Sequence, residues 1–129
     1  MAKILRLKVR PELLAICRLA PADPIPDWAR GGTLWSVTAT GTELSIVCEW
    51  SRVPAGLASP LEAGWRAVEI EGPIPFGLTG ILASILNPLA AAGVGIFAFS
   101  TFDTDFVLVK QSDWDRAFAA LTGAGHMIL

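Results

Sequence analysis

The sequence predicts an α+β protein whose second half has the β-α-β-β-α-β order of a ferredoxin-like, split-βαβ unit. Three observations carry that expectation. Leu78, Ile81, Leu82, Ile85, Leu86 and Leu89 fall at the i, i+3, i+4, i+7 spacing of one helical face. Two apolar runs, "VGIFAFS" and "DFVLVK", flank the turn signal "TFDT" as strands of a hairpin would. A second helical pattern, "SDWDRAFAALTGAG", follows at once, with Trp114, Ala117, Phe118 and Leu121 on one face.

In chain order, the first half is the more β-rich. "ILRLKV" and "ELLAICRL" read as strands, interrupted at Pro11, which has no N–H to give to a ladder. "PADPIPDWARGG" is a loop with one helical turn, and "TLWSVTAT" and "TELSIVCEW" form a hairpin around Gly41. "SRVPAGLASPLEAG" connects the halves. "WRAVEI", Trp65 to Ile70, then alternates as a half-buried strand does. The helix after the loop "GPIPFG" is expected over Leu78–Ala92, kinked or tightened near Pro88 and stopped by Gly93. Ser112 is placed to cap the second helix, and Asp115 lies in its first turn, where the helix dipole favours negative charge. "HMIL" is long enough for a last short strand. The division is 1–60 and 61–129. The halves are similar in length, so the first reads as a degenerate duplicate that has lost most of its helices, although no clear sequence repeat links them.

Composition sets limits on function. With 129 residues, 53% of them hydrophobic and 17% charged, the chain has enough apolar matter to fold unaided as one compact domain or two very small ones sharing a core. A net charge of −2, with Lys and Arg scattered, leaves no basic footprint for nucleic acid. The uncharged stretch Gly72–Phe102 exceeds the ~20 residues that span a bilayer. However, Pro73, Pro75, Gly77, Asn87-Pro88, Gly93 and Gly95 break it repeatedly, and lipid could not satisfy the backbone at those breaks. No membrane span is expected. Cys17 and Cys48 read as reduced, small apolar residues of a cytoplasmic protein, since "MAKILRLKVR" alternates charge like a strand and has no apolar signal core. His126 is the single histidine, without a close cysteine pair to make a metal site, and is expected as an ordinary surface or strand residue. No nucleophile has an evident activating base, and "GVGIFAF" is too short for a phosphate-binding turn and opens a strand. The chain is therefore expected to be no enzyme and to need no cofactor.

Chemistry concentrates at the start of the 78–92 helix. Opposite its leucines stand Thr79, Gly80, Ala83, Ser84, Asn87, Ala90 and Ala91, where a solvated helix would carry Lys and Glu. Small uncharged residues permit close approach by the first half, by a second subunit or by a regulated protein partner. The first-turn amides have no intrahelical acceptor, and Gly80 lets an anion come near them. In a β-α-β-β unit the loop before the first helix and the hairpin's second strand can share one end of the sheet. Asp103 and Asp105 of "TFDTDF" then face those amides. That pairing suits a zwitterion, with α-carboxylate on the helix start and α-ammonium on an aspartate, Asp105 ahead of Asp103 because it lies inside the strand. The competing reading makes Asp103 a local turn acceptor and Asp105 a solvated edge charge. The site would then be vestigial, and the chain an assembly module.

At "STFDTDFVLVK", with "EGPIPFGLTGILASILNPLAAAGVGIFAFS", "CRLAPADPIPDW" and "TGTELSIVCEW", the sequence resembles the ACT-domain proteins, in particular the bacterial tandem-ACT proteins related to the CASTOR arginine sensors. The resemblance implies two ACT-like units in tandem, a degenerate one over 1–60 and an ACT domain over 61–129. It implies a regulatory, ligand-sensing role, with a free amino acid held at an ACT–ACT interface. Carried over residue by residue, it implies ligand contacts at Thr79, Gly80, Ile81, Thr101, Phe102 and Asp105. One departure stands out. Before the "TGI" turn the arginine sensors have an acidic residue and this chain has Leu78, so a guanidinium would lose a partner and a small or apolar amino acid is equally well served. Thr40, Glu43 and Ser45 match the "T-x-x-E-L-S" pattern, and a structural hairpin is their default role.

Overall fold

The computed structural model describes residues 3–129. Strands β1 (Arg6–Leu19), β2 (Ser36–Ala39), β3 (Leu44–Glu49) and β4 (Leu61–Ile70) precede helix α1 (Ile81–Ala91). The hairpin β5 (Ile96–Ser100) and β6 (Asp105–Lys110), helix α2 (Trp114–Gly123) and strand β7 (Met127–Ile128) complete an α+β protein. Its residues group into two compact units, Met1–Pro11 with Arg66–Leu129, and Glu12–Trp65. The compact units divide at 11/12 and 65/66, and the sequence analysis divides at 60/61.

In the unit containing α1 and α2, the elements follow the expected order, and the strands lie β1-β4-β6-β5 with β7 on β1. The place beside β4 is not taken by the last strand. It is taken by the leading segment of β1, because the alternating charges of "RLKVR" find partners there. Arg6 pairs with Glu71 at 3.2 Å and Arg10 with Glu69 at 3.0 Å, so this segment and β4 run antiparallel. The Glu71 N–H donates to Arg6 O at 2.9 Å. β7, only two residues long, instead pairs parallel with β1 through Arg6↔Met127 and Leu7↔Ile128. The β5–β6 hairpin keeps the predicted turn, with Ile96↔Val109 through Ser100↔Asp105 in register.

The core of this unit is one stripe per helix against one face of the sheet. Ile81, Ile85 and Leu89 of α1 and Ala117 and Leu121 of α2 cover Val68, Ile70, Val107 and Val109. Leu78 fits the helical spacing but lies outside α1 and is exposed. Gly80, at φ +78°, adopts the left-handed conformation that non-glycine residues avoid, and the helix begins after it. At the other end the Val94 N–H returns to Leu89 O and the Gly93 N–H to Ala90 O, closing the helix at the predicted glycine.

α1 runs through Pro88 to Ala91, inside the expected 78–92 range, and two other local expectations need correction. The donor that Pro88 lacks would have met Ser84 O, and the imidazole of His126 supplies one there at 2.7 Å. His126 is thus a buried structural residue, 4% exposed, and not an ordinary surface or strand position. Ser112 lies inside a 3-10 turn, Gln111–Asp113, so α2 starts at Trp114 without a side-chain cap.

In the other unit, β2 and β3 form the predicted hairpin from Ser36↔Val47 to Ala39↔Leu44, and β3 pairs antiparallel with Leu14–Leu19 of β1. Thr40 closes the bend by accepting the N–H groups of Thr42 and Glu43, each at 3.2 Å. The helical turn expected in the loop is Asp27–Ala29, and a second lies at Trp50–Arg52. Ala15, Cys17, Ala29, Leu44, Ile46 and Cys48 form the core. Pro11 does not interrupt β1, which is continuous. It falls between the stretches paired with β7 (Arg6–Leu7) and with β3 (Leu14–Leu19), so its missing donor breaks neither ladder. β4 likewise begins earlier than "WRAVEI", at Leu61.

Candidate ligand-binding site

The loop before α1 and the turn after β5 are stitched together by a short set of bonds. The buried Thr104 hydroxyl donates to Ile70 O at 2.5 Å, and the Ile74 N–H donates to Asp103 O at 2.7 Å. A Cβ on Gly72 would lie 2.9 Å from Asp103 O, so only glycine allows the two backbones this close. The turn is closed from within by Thr101, whose N–H donates to Thr104 O at 2.8 Å and whose Oγ1 accepts the Thr104 N–H at 3.3 Å. Thr101 thus makes the local turn bond that the competing sequence reading gave to Asp103.

These bonds bring two phenylalanines together across the gap. The rings of Phe76 and Phe102 meet edge to face with centroids 4.9 Å apart, although the residues are 75% and 79% exposed. Beside them α1 begins with open amides. The first helical bond is Ser84 N–H to Gly80 O at 3.1 Å, which leaves the amides of Ile81, Leu82 and Ala83 without an intrahelical acceptor, and no side chain caps them.

The result is an open pocket of about 310 Å³, near the small end of small-molecule sites and suited to a molecule of amino-acid size. One wall runs from Ile74 to Leu82 and the other from Ser100 to Asp105. Of the residues predicted for the site, Gly80, Ile81, Thr101, Phe102, Asp103 and Asp105 all line it. Thr79 does not; it is exposed outside the lining. Sequence reasoning missed Ser100, whose hydroxyl donates to the Asp105 carboxylate at 2.5 Å. Its signal was the hairpin register, which sets Ser100 directly opposite Asp105. This bond fixes one carboxylate oxygen of a half-buried Asp105 and leaves lone pairs for a further donor. The lining has two carboxylates and no Lys or Arg. The pocket therefore offers negative charge on one wall and the positive end of a helix on the other.

Elsewhere the chemistry is already engaged. In the other unit Glu49 accepts the Thr33 N–H at 2.8 Å and Glu12 accepts the Thr33 hydroxyl at 2.9 Å, which ties down the loop beside a depression of about 450 Å³. Cys17 and Cys48 are unbridged and buried. The Cys48 thiol, hydrogen-bonded to Cys17 and buried, is held well above the usual thiol range, while the same bond lowers Cys17. Among the described residues no cluster of His, Cys, Asp and Glu could hold a metal ion, and no helix is long and apolar enough to cross a membrane.

Comparison with known proteins gives a consistent set of likenesses. The family model of the ACT domain matches residues 60–123, and a model of an N-terminal domain matches residues 12–56. The chain is 44% identical over 90 residues to the protein CASTOR3P of Homo sapiens, covering 61% of this chain and 55% of that one. It is 46% identical over 48 residues to the cytosolic arginine sensor for mTORC1 subunit 1 of Homo sapiens, covering 36% of this chain and 15% of the sensor. The chain thus spans about half of the first relative's length and a smaller part of the second's. Among solved structures, protein Atu0741 of Agrobacterium tumefaciens superimposes with a TM-score of 0.92 at 40% identity, over 99% of this chain and 94% of that one. The regulatory subunit of aspartate kinase from Thermus flavus shares the fold, with a TM-score of 0.65 at 11% identity, over 95% of this chain and 99% of that one.

Proposed function

Because this chain belongs to the ACT-domain family, we propose that it is a non-enzymatic regulatory protein of the cytoplasm that binds a free amino acid. The observation that carries the reading is the shared pocket of Asp105 and the α1 start, which juxtaposes a carboxylate with unpaired amides. An α-amino acid presents the complementary pair of charges on adjacent groups. Its ammonium donates to Asp105 and its carboxylate receives the first-turn N–H groups, both as charge-assisted bonds. In keeping with the tandem reading, the ligand lies at an interface between ACT-like units, one supplying this pocket and another covering its mouth. Isothermal calorimetry against the twenty amino acids tests the proposal. Binding by at least one of them, lost in Asp105→Asn, is expected; no binding at millimolar concentration by any of them overturns it.

A second reading is favoured by one observation. Ala83, Asn87, Ala90 and Ala91 of α1 are exposed and uncharged, a face that permits close packing by a partner chain. Under that reading the chain is an assembly module. Its association would then survive Asp105→Ala and be indifferent to amino acids.

A further inference from the structure

We infer that the ligand held in this pocket carries an uncharged, apolar side chain, read by Phe76, Leu78 and Phe102; the inference rests on the amino-acid reading above and names the class of amino acid. The two charges common to every amino acid engage Asp105 and the open amides of the helix start. Both carboxylates, Asp103 and Asp105, come from the turn wall, and the open amides come from the helix start. Facing the turn wall, where Asp103 also stands, is the segment of Ile74, Pro75, Phe76 and Leu78, which holds no ionisable group and no side-chain donor or acceptor. Two of its backbone donors are already spent, Ile74 N–H on Asp103 O and Leu78 N–H on Pro75 O.

Burial decides between side chains at such a wall. A guanidinium, ammonium or carboxylate laid there would lose water and gain no partner, which is unfavourable. An aliphatic or aromatic side chain would instead cover Phe76 and Phe102, which are 75% and 79% exposed, together with the 44% exposed Leu78. The edge-to-face contact of the two rings, at 4.9 Å, gives that side chain a formed surface to rest on. Exposed apolar residues are common singly; three converging on one pocket beside an open helix start are not scattered exposure.

Calorimetry on the full chain with leucine, methionine and phenylalanine, against alanine, arginine and glutamate, tests this. The apolar set is expected to bind roughly tenfold or more tighter than alanine, as a few buried methylenes allow, and arginine and glutamate no tighter than alanine. In Phe102→Ala and in Leu78→Glu the leucine-to-alanine affinity ratio is expected to fall by about tenfold. Both positions are exposed, and far-UV circular dichroism with thermal midpoints establishes that the variants are folded. Arginine or glutamate binding tighter than leucine, or a leucine-to-alanine ratio unmoved by both variants, overturns this inference and leaves the amino-acid reading standing. If no amino acid binds at all, both fall together.

Discussion

The imidazole of His126 takes the place of a donor that Ser84 has lost. Pro88, four residues on, has no N–H for the Ser84 carbonyl, and His126 Nε2–H fills the vacancy at 2.7 Å. On its other side Nδ1 accepts the Leu5 N–H at 3.1 Å. The ring is therefore the neutral Nε2–H tautomer, buried, and bonded at both nitrogens. It ties the first turns of α1, which carry the candidate ligand site, to the chain segment entering β1.

Removing that ring leaves two half-buried backbone groups, Leu5 N–H and Ser84 O, without its nitrogens as partners. His126→Phe, which keeps the volume and loses both bonds, is expected to destabilise the protein by about 2–4 kcal/mol in urea unfolding. Pro88→Ala returns an N–H to Ser84, so the same histidine change should cost about 1 kcal/mol less in that background. Equal costs in the two backgrounds would show that Pro88 and His126 are not coupled through the Ser84 carbonyl.

Asp105→Asn tests the charge at the site separately from its shape. The amide oxygen can still accept from Ser100, so the hairpin and its thermal midpoint should change little. A hydrogen bond to a charged group contributes about 1.5–3 kcal/mol, so amino-acid affinity should fall at least tenfold. The ligand-induced rise in thermal midpoint should shrink with it. A variant that binds as tightly as the parent would remove the carboxylate from the mechanism.

The buried thiols give a prediction in the other unit. Hydrogen bonding to Cys17 and burial both keep Cys48 protonated, and the thiolate is the reactive form. Since the folded-state value is raised, the neutral thiol favours the fold below the unfolded thiol's range. That contribution is lost as pH rises through and beyond it. At pH 8 a thiol-specific reagent should not label Cys48 faster than the protein unfolds, and should label it at once in denaturant. Rapid labelling of the native protein would mean that the sheet opens locally around β1 and β3.

What the sequence made legible was local. The hairpin at Thr101–Thr104 and the stripe Ile81, Ile85, Leu89 are written in periods of two and three to four residues, and together they put Asp105 and the helix start at one pocket. What it hid depended on distant partners or on single dihedrals. Nothing in "RLKVR" tells that its arginines meet Glu69 and Glu71 some sixty residues on. Leu78 keeps the helical spacing, yet the left-handed Gly80 ends the pattern before it. His126 reads as a lone polar residue until Pro88 is counted as a missing donor four residues beyond Ser84. Thr79 shares a motif with Gly80 and Ile81 but is exposed and does not line the pocket.

The stitching between loop and turn should control the site without touching a ligand. Gly72→Ala would set a Cβ 2.9 Å from Asp103 O, a backbone atom held by the Ile74 N–H and unable to swing aside. Relief requires the turn to move away from the loop, which parts Phe76 from Phe102 and shifts Asp103 and Asp105 relative to the α1 amides. Thr104→Val attacks the same seam from the other side by removing the hydroxyl that Ile70 O accepts, at about 1–3 kcal/mol for a buried carbonyl left unpaired. Both variants are expected to lower the thermal midpoint and to weaken amino-acid binding, although neither residue supplies the charges proposed to hold the ligand. Two variants equally destabilised, but with binding intact once folded, would show that the pocket keeps its shape without this seam.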